Sequence, residues 1–188
     1  MRPRVLLLPG LYDSGPEHWH SHWERAEPQF LRVVQRDWES PSRHEWVGTL
    51  DAAVTAAGPQ VVLAAHSTSC ALVAFWVALT GRRVRGALLV GPSDTEARNY
   101  PPEPVGWQPM PLVRIPFPSI VVASENDEYV TLKRARAFAE AWGSEFRNIG
   151  RAGHINSASG LGAWPEGRAM LTELLSGTGV PAIESSGP

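Results

Sequence analysis

The sequence predicts a three-layer α/β/α sandwich in which about six mainly parallel strands form the middle layer. Short apolar runs of strand length alternate with helical patterns along most of the chain, and that alternation is typical of a parallel sheet with helices on both faces. The chain has 188 residues, 43% hydrophobic and 19% charged, which suits one globular domain. We expect that domain to span residues 1–175, and residues 176–188, rich in Gly, Ser and Pro, to be a disordered tail.

The part of the chain before residue 66 is predicted to hold three strands and two helices. The strands are short apolar runs bounded by turn-forming residues, at 5–8, 30–35 and 60–65. Each helix begins at a capping box, in which a Ser is followed three residues later by a Glu. The first capping box is Ser14–Glu17 and the second is Ser42–Glu45. Pro28 ends the first helix and Gly58 the second.

The segment 68–80 is predicted to be a buried helix, because apolar residues lie on nearly all of its sides. Gly81 supplies its C-terminal cap. The remaining predicted elements alternate between strand and helix, at 84–90, 118–124, 131–142, 145–149 and 163–175. Residues 91–117 show no helical or strand period and contain seven prolines. A loop of this length in a compact domain is usually functional or disordered.

Charge and cysteine content exclude several classes of partner. The net charge is −2 and the chain has no run of basic residues, so we expect no nucleic-acid partner. The single cysteine, Cys70, cannot form an internal disulfide, which favours a reducing compartment. The apolar run near the N-terminus is too short for a signal peptide or a membrane span. We therefore expect a cytoplasmic protein with no membrane partner, and no feature of the sequence indicates its oligomeric state.

Three reactive side chains follow predicted strands of the sheet: Ser67, Asp127 and His154. Ligands bind beyond the carboxyl ends of parallel strands, so these side chains are expected to meet at one edge. Serine is a poor nucleophile at neutral pH and needs a base, which histidine can supply and a carboxylate can orient. The order Ser, Asp, His along the chain is that of an α/β-hydrolase triad. The sequence predicts Ser67 as nucleophile, His154 as general base and Asp127 as orienting acid.

The segment around Ser67 is predicted to be a nucleophile elbow, a sharp turn from a buried strand into a buried helix. The usual pattern is G-x-S-x-G, and here Ala65 and Ser69 replace the two glycines. Both are small, so the steric requirement of the turn is met although the literal motif is absent. The backbone N–H groups of Thr68 and Leu11 are the expected oxyanion hole.

Other residues near the predicted strand ends have alternative interpretations. Tyr12, after the first strand, and Trp107, in the proline-rich loop, are predicted to line the substrate pocket. Asp94 follows the fourth strand and is an alternative acid for His154, as are two neighbours of Asp127, Glu125 and Glu128.

The histidines outside the triad are predicted to be structural. His66 precedes the nucleophile, so its side chain should point away from that of Ser67. His18 and His22 form an i,i+4 pair that could bind a metal, but no carboxylate or cysteine completes a clear ligand set. We expect neither a metal nor an organic cofactor.

Several short segments match one known family in order and spacing. They are Pro9–Gly10, Ser14–Trp19, Trp23, Asp37–Trp38, Pro41, Trp46, Ala65–Ser67, Asn126–Asp127 and Gly153–Asn156. Over about residues 4–175 the chain resembles the small α/β-hydrolases that include the vertebrate retinoblastoma-binding serine hydrolase and many bacterial relatives. The resemblance implies a compact α/β-hydrolase-like domain with little or no cap and the triad Ser67, Asp127 and His154. The retinoblastoma-binding pattern L-x-C-x-E is absent, so that partner is not expected.

Two functions are compatible with these patterns. The first is an esterase-like serine hydrolase that cleaves a small carboxylic ester, thioester or amide through an acyl-enzyme on Ser67, so its partner is a small-molecule acyl substrate. The second is a weak or inactive hydrolase-fold protein that acts as a binding module, since fold does not fix function. A loop 91–117 that covered the elbow would favour the second.

Overall fold

The computed structural model describes residues 4–177, in which six strands form one sheet. The strands are β1 (Val5–Leu8), β2 (Phe30–Arg32), β3 (Val62–His66), β4 (Gly86–Val90), β5 (Ser119–Ala123) and β6 (Glu145–Asn148). Their order is β2-β1-β3-β4-β5-β6, and each strand pairs in parallel with its neighbours. The predicted sheet of about six mainly parallel strands is confirmed.

Five α-helices cover the two faces of this sheet. They are α1 (Trp19–Ala26), α2 (Arg43–Ala57), α3 (Thr68–Thr80), α4 (Leu132–Trp142) and α5 (Pro165–Ser176). Apolar side chains of α2, α3 and α4 form the core on one face, and those of α1 and α5 form the core on the other. Alternate residues of β1 enter opposite cores, Leu6 and Leu8 one and Val5 and Leu7 the other, as the two-residue period of a strand requires. The three-layer sandwich is therefore confirmed.

Helix α3 is buried over most of its length and has the bounds predicted for it. Every residue from Thr68 to Val77 is buried. Gly81 ends the helix in the left-handed region, with φ 63°, a conformation that glycine adopts without steric cost. The turn that carries Ser67 is thus followed by a helix whose first ten residues are buried.

The first predicted capping box is wrong. Helix α1 begins at Trp19, and its N-cap is His18, whose ring Nδ1 accepts a hydrogen bond from the His20 N–H at 3.1 Å. Ser14 lies outside the helix, and its hydroxyl pairs with Nδ1 of His20 at 3.1 Å. The imidazole of His18 directly precedes the helix, so it can accept from a first-turn N–H that the hydroxyl of Ser14 does not reach. Ser42 is the N-cap of α2 as predicted, but its hydroxyl makes no capping bond.

Helix α1 is tied to the C-terminal part of the chain through two indole N–H groups. Trp19 donates to the carbonyl oxygen of Ile155 at 2.9 Å, and Trp23 donates to that of Ala163 at 2.7 Å. The ring of Trp23 also stacks on Trp164, with centroids 6.1 Å apart and planes 11° from parallel. These contacts hold the segment after β6 against α1.

The proline-rich loop 91–117 contains no helix or strand, and only Val105 forms an isolated bridge, with Ser42. The prediction that Trp107 lines the pocket is wrong. Its side chain is 1% exposed and its indole N–H donates to the carbonyl oxygen of Pro41 at 3.0 Å. Its ring packs edge-on against Trp46, so the indole anchors the loop in the core.

The predicted disordered tail begins inside a helix. Ser176 is the last residue of α5, and residues 178–188 lie outside the described part of the chain. Across residues 4–177, no helix combines the length and the apolar character needed to cross a membrane.

Candidate active site

The turn between β3 and α3 places Ser67 at the carboxyl edge of the sheet. Ser67 has φ 60° and ψ −128°, a conformation that is strained for a residue with a side chain. Its N–H donates to the carbonyl oxygen of Val90 at 3.0 Å, which fixes the turn to the end of β4. Strained residues of this kind persist where surrounding structure holds them, and they cluster at functional sites.

Close packing on both sides of the turn explains why small residues stand there. A Cβ added to Gly10 would lie 2.6 Å from Cβ of Ser67, so no other residue fits at position 10 without displacement. Ser69 is 1% exposed, and its hydroxyl donates to the carbonyl oxygen of Pro9 at 2.5 Å. Serine is therefore accommodated where the G-x-S-x-G pattern has glycine.

The structure brings Ser67, His154 and Asp127 together in one hydrogen-bonded chain. Nε2 of His154 lies 2.9 Å from Oγ of Ser67, and Nδ1 lies 2.9 Å from each carboxylate oxygen of Asp127. The side chains of His154 and Asp127 are 7% and 0% exposed. A carboxylate only accepts, so Nδ1 carries the ring proton and Nε2 accepts from the Ser67 hydroxyl. This is the arrangement that a general base requires.

The alternative acids do not reach His154. Asp94 accepts from Nε of Arg134 at 2.8 Å, and Arg134 also pairs with Glu96. Glu125 accepts from the side-chain amide of Asn148 at 3.0 Å, and Glu128 is exposed.

A cavity of about 570 Å³ opens above Ser67. Its lining residues come from the loops after β1, β4 and β5, from the elbow and from the segment after β6. They are Leu11, Tyr12, Asp13, His18, His66, Ser67, Thr68, Ser93, Asn99, Tyr100, Pro101, Tyr129, His154, Asn156, Ser157 and Ala158. Tyr12 lies on this lining as predicted for a pocket residue, with 64% of its surface exposed.

The two predicted oxyanion donors, Leu11 and Thr68, lie together at this cavity. Among the hydrogen bonds between residues 4–177, none uses the N–H of Leu11 or of Thr68 as a donor. Thr68 is the first residue of α3, where N–H groups have no acceptor within the helix and the helix dipole is positive. The N–H of Leu11 and that of Thr68 are thus available to a ligand oxygen.

Three buried histidines lie next to Ser67 and His154. His66 is hydrogen-bonded through Nε2 to the backbone oxygen of His154 at 2.9 Å, so the residue before Ser67 is linked to the backbone of His154. Burial lowers the pKa of His18 to about 2 and lowers the pKa of His66 and His20 well below its usual value. These rings are neutral at physiological pH, which matches the structural role predicted for His66.

The metal interpretation of the N-terminal histidines gains no geometric support. Nδ1 of His18 already accepts from the backbone N–H of His20. Within the part of the chain that the structure describes, no group of three or more His, Cys, Asp or Glu side chains could hold a metal ion.

Three further residues contact the triad or the expected oxyanion site. Oγ of Ser93 lies 2.9 Å from Oγ of Ser67, the hydroxyl of Tyr100 lies 3.3 Å from Oγ1 of Thr68, and the ring of Tyr129 packs on His154 with centroids 4.5 Å apart. Sequence reasoning missed them. The one feature of the sequence that could have indicated them is their position, since each follows β4 or β5 at the edge of the sheet where ligands bind.

A parallel sheet with a strained serine after β3, and with a carboxylate and a histidine hydrogen-bonded to it after β5 and β6, defines the α/β-hydrolase fold. The family model for serine hydrolases matches residues 5–173. The chain therefore belongs to the serine hydrolase family, which confirms the resemblance found in the sequence. No curated protein gives a significant match.

Solved structures of similar proteins agree with this assignment. A YdeN-like hydrolase from Pectobacterium atrosepticum is 30% identical, with 95% of this chain and 94% of that chain covered and a TM-score of 0.83. The ydeN gene product of Bacillus subtilis is 18% identical, with 93% and 99% covered and a TM-score of 0.72. Est1E from Butyrivibrio proteoclasticus, in a structure with ferulic acid bound, is 15% identical, with 93% and 90% covered and a TM-score of 0.69. The last two share the fold.

Proposed function

We propose that this serine hydrolase cleaves a small carboxylic ester, thioester or amide through an acyl-enzyme on Ser67. The observation that carries the proposal is the continuous relay from Oγ of Ser67 through His154 to Asp127, in which each contact is 2.9 Å. The relay ends at a cavity of about 570 Å³, which is in the size range of small-molecule sites.

Acylation follows from the direction of the hydrogen bonds. The Ser67 hydroxyl gives its proton to Nε2 of His154 while Oγ forms a bond to the carbonyl carbon of the substrate. The carbonyl π electrons move to the oxygen, which accepts from the N–H groups of Leu11 and Thr68. The imidazolium, stabilised by Asp127, then protonates the leaving alcohol, thiol or amine as its bond to carbon breaks.

Deacylation repeats the sequence with water as the nucleophile. His154 takes a proton from a water molecule, the resulting oxygen attacks the acyl carbon, and the same N–H groups stabilise the negative oxygen. Collapse of this intermediate returns the proton to Ser67 and releases the acid. The cycle uses these side chains, two backbone N–H groups and water.

Within this reaction class we favour carboxylic esters with a compact acyl group. Tyr12, Tyr100 and Tyr129 line the cavity together with Leu11 and Pro101, and such a surface suits an apolar or aromatic acyl group. The similar fold of Est1E, with ferulic acid bound, is consistent with a substrate of this size.

The binding-module alternative is not favoured by the position of loop 91–117. Ser93, Asn99, Tyr100 and Pro101 come from this loop and form one wall of the cavity. Ser67 lines the same cavity, so the loop does not seal the nucleophile.

A panel of p-nitrophenyl esters of increasing acyl length tests the proposal. We expect turnover of the short esters by the native protein and none above the background by Ser67→Ala. Ser119→Ala is the matched control, because Ser119 is also a buried serine bonded to another serine, Ser144, but lies at the start of β5. Equal turnover by Ser67→Ala and the native protein contradicts the assignment of the nucleophile.

We also propose a cytoplasmic location, on the basis of the single cysteine. Cys70 is buried and unpaired, as expected for a protein of a reducing compartment. Immunodetection in separated cell fractions tests this, and recovery in the secreted fraction contradicts it.

A further inference from the structure

The hydroxyl of Ser93 contacts the proposed nucleophile directly. Ser93 is 3% exposed, lines the cavity, and places Oγ 2.9 Å from Oγ of Ser67. It contacts the same oxygen that His154 contacts in the triad relay. Ser67 therefore has two hydrogen-bond partners, one of which the triad scheme leaves without a role.

The turn that carries Ser93 is fixed against the triad. The N–H of Gly91 donates to the carbonyl oxygen of Val122 at 2.9 Å. A Cβ added to Gly91 would lie 3.2 Å from the backbone oxygen of His154 and 3.4 Å from Oδ2 of Asp127. The positive φ of Gly91, 54°, lets the chain pass this close and turn Ser93 toward the nucleophile.

The direction of the hydrogen bond from Ser93 follows from the relay. Asp127 accepts from Nδ1–H of His154, so Nε2 of the neutral ring must accept from the Ser67 hydroxyl. Ser67 has one proton, and it is used in that bond. The contact between the two serines therefore requires the Ser93 hydroxyl to donate to Oγ of Ser67.

We propose that Ser93 is a further catalytic residue, which stabilises the negative charge that develops on Oγ of Ser67 during acylation. This inference rests on the proposed function. As the Ser67 proton moves to His154 and Oγ attacks the carbonyl carbon, the acceptor becomes anionic and the bond from Ser93 becomes charge-assisted. Charge-assisted hydrogen bonds are about twice as strong as neutral ones. Ser93 keeps its own proton throughout.

This strengthening is what makes the contact catalytic. Only interactions stronger in the transition state than in the ground state accelerate a reaction, and the Ser93 bond gains strength when Oγ acquires charge. Once the acyl group is attached, Oγ is an ester oxygen and a poorer acceptor. In deacylation the same negative charge develops on Oγ as its bond to carbon breaks and His154 returns the proton, so Ser93 assists that step too.

The rate of Ser67 labelling by a fluorophosphonate probe tests the role of Ser93. Attack on phosphorus forms a bond from Oγ and releases fluoride, so it requires the same activated oxygen. We expect Ser93→Ala to lower the maximal labelling rate roughly three- to thirtyfold, the difference between a hydrogen bond to a charged acceptor and one to a neutral acceptor. The probe concentration at half-maximal rate should stay within about twofold, because Ser93 acts on the nucleophile and binding is unchanged.

Two further variants separate the hydroxyl from the shape of the side chain. Ser93→Thr keeps the hydroxyl and Ser93→Val has nearly the same shape as Thr without it, so the Thr variant should label at least about threefold faster than the Val variant. This comparison also decides the matter if Ser93→Ala fails to fold. Ser119→Ala removes a remote serine pair, Ser119–Ser144 at 2.6 Å, and should label at the native rate.

The possible outcomes distinguish this inference from the proposed function. Native labelling rates in Ser93→Ala, or equal rates in the Thr and Val variants, overturn the role of Ser93 while leaving Ser67 as nucleophile. Faster labelling of Ser93→Ala also overturns it, because the bond would then restrain the nucleophile. Labelling of Ser67→Ala overturns the proposed function itself.

Discussion

The hydroxyl of Ser69 donates to the carbonyl oxygen of Pro9 at 2.5 Å. This bond joins the first turn of α3 to the end of β1, directly before Gly10 and Leu11. The two proposed oxyanion donors, Leu11 and Thr68, therefore belong to segments that are linked to each other. A residue that looked like a departure from the elbow pattern contributes a connection that glycine could not make.

Ser69→Ala should destabilise the protein by about 1–3 kcal/mol, because the buried carbonyl of Pro9 loses its hydrogen-bond donor. Ester turnover should fall as well, since Leu11 is no longer held by this bond. Urea unfolding and p-nitrophenyl ester hydrolysis measure the two effects. An Ser69→Ala variant with native stability and native turnover would show that the bond carries neither function.

Gly10→Ala should reduce turnover at least about tenfold, because the new methyl group would lie 2.6 Å from Cβ and 3.1 Å from Oγ of Ser67. Gly48→Ala is the matched control, since a Cβ on Gly48 meets nothing within 4 Å. Gly48→Ala should be as active as the native protein. If Gly10→Ala is equally active, the close approach between β1 and the elbow does not constrain the nucleophile.

Asp127→Asn should lower kcat at least about a hundredfold, because an amide cannot fix the Nδ1–H tautomer of His154 or stabilise the imidazolium. Asp94→Asn is the comparison, since Asp94 pairs with Arg134 and makes no contact with His154. It should retain most of the activity. The reverse ranking of the two variants would assign the acid to the loop after β4.

The stability of the protein should fall as the pH decreases below about 6.5. Burial holds His18, His20 and His66 neutral in the folded state, with the pKa of His18 lowered to about 2. In the unfolded chain each titrates near its usual pKa of about 6.5. Below that pH the unfolded state binds more protons than the folded state. The stability that the neutral histidines contribute is therefore fully present above the unfolded pKa and is lost as the pH falls.

Each of these histidines contributes at most about 1.4 kcal/mol per pH unit, so three give a slope of about 4 kcal/mol per unit well below pH 6.5. Urea unfolding from about pH 7.5 down to about pH 5 measures the slope. His20→Gln should reduce the slope by about 1.4 kcal/mol per pH unit, because the unfolded state then binds one proton fewer. A free energy of unfolding that is constant over this interval contradicts the neutral buried state.

Sequence reasoning located the elements and the strand-end residues because both depend on local patterns. The bounds of α3 agree with the structure, since an abrupt change from apolar strand to apolar helix marks one end and Gly81 the other. Ser67, Asp127 and His154 meet because the carboxyl ends of parallel strands share one edge. That rule needs only the order of elements along the chain.

The contacts that sequence reasoning missed are decided by tertiary packing. The sequence around Trp107 is compatible with a cavity wall or with the core, and in the structure its indole N–H donates to the carbonyl oxygen of Pro41 in the core. Ser93 is a serine in a proline-rich loop, and no local pattern shows that its hydroxyl turns toward Ser67. His18, and not Ser14, caps α1, because Nδ1 of its ring accepts from the N–H of His20. The spacing of residues in the sequence does not show where that ring nitrogen lies.

The indole bonds of α1 constrain how the protein can mature during synthesis. Trp19 and Trp23 need carbonyl partners that lie 136 and 140 residues further along the chain. A ribosome that has completed α1 has not yet made either partner. The native packing of the first helix is therefore reached only when almost the whole chain has emerged, and until then its two indole N–H groups lack their native acceptors.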